Sequence, residues 1–512
     1  MNRFSRIYTE SEELTPRSSP AASDESLQDH EIEQHPRVVS PDHGQEINSY
    51  REMRVAMVQT AAGLKPPSGG FRGNYATLFA LTKHGHATMQ FCWAYRKDIN
   101  SAVAELKAEK KFQVSAWKWG RTPMLNANLE EVQVTYWKFK NVHDILCVAL
   151  DAEEMIPTYP NNLQQVDAAT WIEASLIGQT GEQPARAKTY ADWIQDNLNE
   201  FEPTHVVFND AFANVVTSNM PKVRKTTARL EIIHTLEQLP AGPFAGGISG
   251  GAKTSAELPL FRELDGLVAV SKAVQKYAKQ YCDLDAEMIP NHAWSYKDKD
   301  TGDWPRFRKN FAKQNVVMIN PAWVKGYEIF LGMARQNKQR VVENNWDELL
   351  NRPVYNFIAY SSWGSNPEMV RDLQAAGVKM LDPVTDMEPA FDNISVLIVP
   401  SLWQEAWGLI ATEAQLRGIP VIASNVGGLP EAKRYVGPLL EVNKIDGTKR
   451  KEDGSYAIPS QDVKAWMREL DILLCDKDRY EAQSHMAYYT TRQWVRQFDV
   501  RGMEKYLLSV MK

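Results

Sequence analysis

Residues 399–414 read Val399-Pro-Ser-Leu-Trp-Gln-Glu405-Ala-Trp-Gly408-Leu-Ile-Ala-Thr-Glu413-Ala, followed by Gly418-Ile-Pro420-Val-Ile and Gly427-Gly428-Leu-Pro-Glu431. The run before Pro400 is a buried strand, and the loop after it presents Glu405. Gly408, Leu409 and the residues that follow open a helix whose free amides and positive dipole end can hold a diphosphate without a cluster of arginines. With a helix start near Ala406, Glu413 stands about 12 Å from Glu405 at 1.5 Å per residue. That separation suits the two ends of a nucleotide sugar. Glu413 would accept hydrogen bonds from ribose hydroxyls, and Glu405 would stabilise positive charge at the transferring carbon. The competing reading, two surface charges beside an ordinary turn, leaves the Gly and Pro positions without a purpose.

Outward from this string the chain alternates short apolar runs with helical stretches. On the N-terminal side lie Met53–Gln59, Ile145–Leu150, His205–Phe208, Leu230–His234 and Gly266–Val270; on the C-terminal side, Val316–Ile319, Tyr355–Ala359, Val396–Val399 and Val421–Ala423. Such alternation predicts an α/β fold of two Rossmann-like units, each with a parallel sheet covered on both faces. The polar segment Asn291–Asn310 is the expected linker. The first run leads into a small-residue and Gly stretch, Ala61–Gly73, of the kind that forms a phosphate loop, and a helix is expected over Tyr75–His84, stopping at Gly85. Lys444–Pro459 reads as a polar surface loop. Trp494–Met511 reads as a packed terminal helix.

The chain has 512 residues, enough for two or three cores. Its 43% apolar and 24% charged residues are near the globular average. Residues 1–50 hold ten Asp or Glu against four Arg and no Lys, which accounts for the whole net charge of −6 and leaves the rest balanced at 54 of each sign. That Ser-, Pro- and Glu-rich tail is expected to be disordered. A neutral body offers no field to attract nucleic acid, so an anion must be held by a local site. Cys92, Cys147, Cys282 and Cys475 are widely spaced without a CxxC pair, which points to neither a zinc site nor a disulfide framework. With no apolar run near 18 residues and an acidic start, the expectation is a cytoplasmic protein without a transmembrane segment.

The pair Glu405 and Glu413, with seven residues between them, together with Pro400, Ser401, Gly408, Ala414, Gly418, Pro420, Gly427, Gly428 and Glu431, resembles family 4 of the retaining glycosyltransferases, with the GT-B fold. The resemblance runs from about residue 53 to 440 and is most specific in the second half. Pro66-Pro67-Ser68-Gly69-Gly70 resembles the family's N-terminal Gly-Gly loop, which implies backbone amides close to the donor at Gly69 and Gly70; alone, such a pair is a turn. Gly85-His86 resembles the end of the next helix, with a structural histidine. His234 resembles the strand-end histidine that faces the donor sugar, in preference to His205, with a satisfied core residue as the alternative; Asp210 would shape the acceptor side. Ser271 falls where the family starts a helix, as an N-cap. Ile289-Pro290-Asn291-His292 resembles the Pro-Asn-Gly entry to the linker, with His292 in place of glycine.

Lys325 and Gly326 match the segment that gives an arginine and a lysine to the donor diphosphate, but Asn320 or Pro321 stands where arginine is common. Ser361–Ser365 would contact the donor, and Val384 would offer backbone atoms to the base. The long stretch Gly120–Gln195 diverges, and acceptor choice is normally written there. The resemblance thus implies two Rossmann-like domains with parallel sheets facing an interdomain cleft. The expected units are a tail at 1–50, an acceptor domain at 51–300, a nucleotide-sugar domain at 301–490, and a helix at 491–512 packing back on the first domain. The implied activity is hexosyl transfer from a nucleotide diphosphate sugar, UDP-glucose by default, to an acceptor hydroxyl of a metabolite, glycan or lipid. Catalysis is assigned to Glu405, His234 and Lys325, and donor binding to Gly69, Gly70, Lys325, Gly408, Leu409 and Glu413. The reaction would need no metal and no cofactor. A GT-B phosphorylase, a sugar-nucleotide epimerase and a non-catalytic sugar-nucleotide sensor are the alternatives.

Overall fold

The apolar runs become strands of two sheets. The first contains β1 (Arg54–Ala62), β2 (Ala87–Ala94), β3 (Lys118–Leu125), β4 (Glu131–Lys140), β5 (Leu146–Asp151), β6 (His205–Phe208), β7 (Ala228–Ile233), β8 (Gly266–Ala269) and β9 (Glu287–Met288). Their order is β3-β4-β5-β2-β1-β6-β7-β8-β9. The second contains β10 (Asn315–Ile319), β11 (Asn356–Tyr360), β12 (Lys379–Leu381), β13 (Val396–Val399), β14 (Val421–Ser424) and β15 (Leu439–Leu440), in the order β12-β11-β10-β13-β14-β15. This computed structural model describes residues 52–158, 185–245, 258–290, 304–346, 353–361 and 366–512, apart from 63, 65–68, 127, 129, 210, 219, 385, 453 and 498–500. The expectations for the tail, Pro66–Ser68, Asp210, Asn291, His292, Ser362–Ser365 and most of the linker lie outside the described residues.

Helices joined to short parallel strands bury each sheet on both faces, so the central strands β6, β7, β13 and β14 are buried along nearly their whole length, β13 and β14 with apolar or small residues and β7 with Arg229 and Glu231 buried among its apolar ones. Val55 pairs with Thr88 of β2 on one side and with His205 of β6 on the other, both parallel. The edge departs from the all-parallel expectation: β3, β4 and β5 form an antiparallel meander. Its strands β3 and β4 are half exposed and polar, so they contain no buried apolar run by which a sequence reading finds strands. Residues 52–512 form one compact unit.

Three further differences from the sequence reading have local causes. The helix expected to begin at Tyr75 begins at Gly69 and runs to Lys83, so the glycine pair is its first turn and not part of a loop. The terminal segment is divided: one helix, Lys477–Gln497, extends past residue 491, and a separate helix spans Gly502–Ser509. The latter lies on the first sheet's half, where Glu504 meets His84 at 2.6 Å and His86 at 3.1 Å, and Tyr506 Oη meets the Leu267 amide at 3.1 Å. The 444–459 segment is polar but not merely superficial. Tyr456 is only 2% exposed and packs edge-on against Phe244 of the other half, with the Arg450 guanidinium 3.8 Å from its ring centre.

Candidate active site

β13 ends at Val399, just before Pro400, and the loop behind it is held from three sides before the helix Leu409–Gln415 begins. The Leu402 amide donates to the Val324 carbonyl at 2.9 Å, Ser424 Oγ donates to the Ser401 carbonyl at 2.6 Å, and the Gly428 amide donates to the Glu405 carbonyl at 2.6 Å. A Cβ at Gly427 would overlap the Glu405 carbonyl oxygen and one at Gly428 the Ala406 carbonyl oxygen. The second Gly pair is therefore the floor on which Glu405 stands. Ser401 Oγ donates to Glu405 Oε1 at 2.6 Å, and Lys325 Nζ forms an ion pair with the same oxygen. Lys325 closes the turn Trp323–Lys325 after β10, with its ammonium 5.1 Å from the Trp403 ring centre.

Gly408 is the N-cap, with φ of +105°, and Leu409 opens the helix. Glu413 lies one turn further on, 4% exposed, and its Oε1 forms an ion pair with Arg72 of the first half. Arg72 belongs to the first turn of the helix Gly69–Lys83. A Cβ at Gly69 would stand 3.2 Å from Leu409 Cδ1, and one at Gly70 would stand 3.0 Å from His234 Cβ. The first Gly pair thus lets one half approach the other, and lets His234 sit beneath the helix. His234 directly follows β7, with its amide donating to Gln238 Oε1 at 2.6 Å and its Nε2 2.7 Å from Asn74 Oδ1. Burial pushes its pKa down to about 4, so the imidazole is neutral at pH 7.

Glu405, Glu413, Lys325, Gly408, Leu409, Gly69, Gly70 and His234 therefore surround one region between the two sheets. His205 does not join them: its Nε2 is spent on the Leu507 carbonyl at 2.8 Å. His86 bridges the Met53 amide and Glu504, a structural role. Ser361 Oγ is bonded to the Leu381 carbonyl at 3.0 Å, and Val384 is exposed beyond β12. Ser271 caps its helix by accepting from the Val274 amide at 3.1 Å.

Arg72 and Glu237 were not singled out from sequence, whereas Glu431 belongs to the string that was. Arg72 lies two residues after the glycine pair, and only its position beside that pair could have signalled it. Burial raises the pKa of Glu237, against the nearby Lys325, and Tyr456 Oη lies 3.4 Å from its carboxylate. Glu431 reaches across the halves, its two oxygens accepting from the Lys272 and Ala273 amides at 3.0 Å each. Beside it a cavity of about 290 Å³ is lined by Phe244, Tyr277 and Tyr281 from the first half and by Gln404, Glu405 and Gly427 from the second. Among the described residues, no group of three or more His, Cys, Asp or Glu is placed to hold a metal ion, and no helix is long and apolar enough to cross a membrane.

The arrangement pairs two carboxylates with two cations in a cleft floored by glycines. Residues 327–476 match the family Glycosyl transferases group 1. That segment contains Glu405 and Glu413, and Lys325 lies just before it. Over 90 residues the chain is 34% identical to D-inositol 3-phosphate glycosyltransferase of Mycobacterium marinum, covering 18% of this chain and 16% of that protein. It is 64% identical over 41 residues to an uncharacterized 41.2 kDa protein in the cps region of Klebsiella pneumoniae, covering 8% and 11%. The matched stretches thus span about a tenth to a sixth of these curated relatives.

Solved structures resemble far more of the chain. TarM superimposes with a TM-score of 0.57 at 10% identity, over 91% of this chain and 100% of that one. Trehalose-6-phosphate synthase OtsA gives 0.54 at 12% identity over 90% and 98%, and sucrose-phosphate synthase from Thermosynechococcus elongatus gives 0.52 at 15% over 90% and 97%. At such identities the likeness establishes the fold, which is GT-B.

Proposed function

We propose that this protein is a retaining glycosyltransferase that moves a hexose from a nucleotide diphosphate sugar, with UDP-glucose the first candidate, to an acceptor hydroxyl. The observation that carries the reading is the convergence of Glu405, Glu413 and Lys325 of the second half with Gly70 and His234 of the first. Support for a UDP-sugar comes from HepE of Anabaena, a structural neighbour with a TM-score of 0.50 at 13% identity over 90% of this chain and 99% of that one, which was solved with UDP and glucose.

In this reading Glu413 accepts hydrogen bonds from the ribose diol, and the diphosphate lies between Glu413 and Glu405. Lys325 turns from Glu405 to the phosphate, where its charge stabilises the leaving group. The bond from the anomeric carbon to the phosphate oxygen breaks, with its electron pair remaining on that oxygen. The acceptor oxygen bonds to the same face of the carbon, and its proton passes to the departing phosphate. Glu405, oriented by Ser401, stabilises the positive charge that develops on the sugar. His234 is neutral, and with Nε2 held by Asn74 it offers Nδ1 to a sugar hydroxyl. No step calls for a metal ion, so a chelator should leave the rate unchanged.

The test is mass spectrometry of products formed by the purified full chain from UDP- and GDP-sugars with a broad acceptor panel, followed by NMR of the anomeric proton. A new glycoside in the α configuration supports the proposal. Phosphate-dependent release of sugar, epimerised donor, or donor binding without any product would replace it by phosphorylase, epimerase or sensor respectively.

A further inference from the structure

We infer that Arg72 is the second cation of the donor site, supplied by the first half, and that it exchanges Glu413 for the diphosphate when a nucleotide sugar binds. The inference rests on the donor-site reading above. Its starting point is a symmetry in the ion pairs. Each of the two glutamates is neutralised by one cation, Glu405 by Lys325 from the same half and Glu413 by Arg72 from across the cleft.

A donor diphosphate brings two negative charges, while the second half offers Lys325 alone from the segment after β10. There Asn320 has left-handed backbone, with φ of +58°, and gives its amide to the Tyr360 carbonyl; Pro321 has no amide hydrogen. The helix Leu409–Gln415 is only seven residues long, so its terminus adds little fixed charge. Arg72 stands where the deficit arises. Gly69, in the same helical turn, packs on Leu409, the first residue of that helix. Glu413 is four residues beyond Leu409, so the guanidinium needs to shift by about 6 Å along the helix axis to leave the ribose end for the phosphates.

Chemistry favours the exchange. Glu413 is almost fully buried, whereas the Arg72 side chain is 39% exposed, so the arginine is the partner with room to move. Its planar fork binds a phosphate through two parallel hydrogen bonds, a geometry that lysine lacks. Glu413, released, turns both oxygens to the ribose diol. In the ligand-free state the same pair keeps a buried carboxylate from standing uncompensated.

Calorimetric titration of the full chain with UDP and, separately, with uridine tests the exchange, because uridine carries the ribose and no phosphate. For Arg72→Ala the expected result is a loss of UDP affinity of tenfold or more, with uridine affinity unchanged or improved, and Arg72→Lys should recover only part of the loss. An unchanged UDP affinity, or an equal gain for both ligands, would overturn the proposal and leave Arg72 as a latch. An equal loss for both would overturn it too, by making the effect structural. Glu413→Gln separates the underlying reading: it should weaken both ligands. If it weakens neither while Arg72→Ala selectively weakens UDP, the ribose assignment fails and the arginine assignment stands. Failure of the native chain to bind UDP or GDP would remove both.

Discussion

Glu405 meets its cation within the second half, through a loop and a turn separated by one strand pairing, whereas Glu413 meets its cation across the cleft, from a helix more than three hundred residues earlier in the chain. The first arrangement is fixed by the pairing of β10 with β13 and by the hydrogen bond from the Leu402 amide to the Val324 carbonyl, all within one half. The second exists only when the halves are together. On the proposed reading, a site so divided places charge stabilisation on one half and makes nucleotide capture sensitive to the approach of the other.

Lys325→Ala attacks the local arrangement and carries the largest expected effect: turnover should fall at least tenfold, since a charge-assisted contact to a leaving group contributes roughly 1.5–3 kcal/mol. Steady-state kinetics at saturating donor would read it, and an unaltered kcat would remove the lysine from the leaving-group role. Glu413→Ala attacks the divided arrangement. Donor KM should rise about tenfold, in line with about 1–2 kcal/mol for lost hydrogen bonds to a charged group, with a smaller change in kcat. A kcat loss at constant KM would place Glu413 with the chemistry instead of the ribose.

Glu431→Ala removes the carboxylate that caps the Lys272–Cys282 helix from the opposite half. Loss of a cap costs about 0.5–2 kcal/mol, to be measured by denaturant unfolding, and an unchanged midpoint would show that the two halves do not depend on this tie. The last effect, confined to acid pH and absent at neutrality, concerns His234. Because burial lowers its folded pKa to about 4 from an ordinary 6.5, the unfolded chain binds the extra proton between those values, so its contribution to stability is complete above pH 6.5 and is lost as the pH falls towards 4. His234→Gln should flatten the loss of stability across that window; an identical pH profile would mean that the imidazole is solvated.

The same division governs what could be read from the sequence. The second half was legible because its site is a continuous string: strand, Pro400, Glu405, Gly408, Glu413 and the supporting Gly427-Gly428 follow one another, and each residue type has one mechanical use there. Most of the parallel strands were legible for a similar reason, since burial on both faces writes an apolar run; β2 was not, because Thr88 and Gln90 interrupt its buried residues. Strands β3 and β4 of the edge meander were not, because an edge faced by water on one side spreads its apolar residues too thinly to be seen. Arg72 was also hidden. Nothing within its own helix marks it, and its meaning lies in a carboxylate brought to it by the packing of Gly69 on Leu409. Tyr456 was concealed in the opposite way, as a single buried aromatic in a run of polar residues whose composition describes a surface.

The account is tested most directly by a crystal structure of the full chain with UDP-glucose or an unreactive analogue bound. It requires the ribose hydroxyls on Glu413, the diphosphate against Lys325, and the hexose between Glu405 and His234. A nucleotide seated outside this cleft, or one whose ribose avoids Glu413 while the Arg72 pair stays closed, would contradict it.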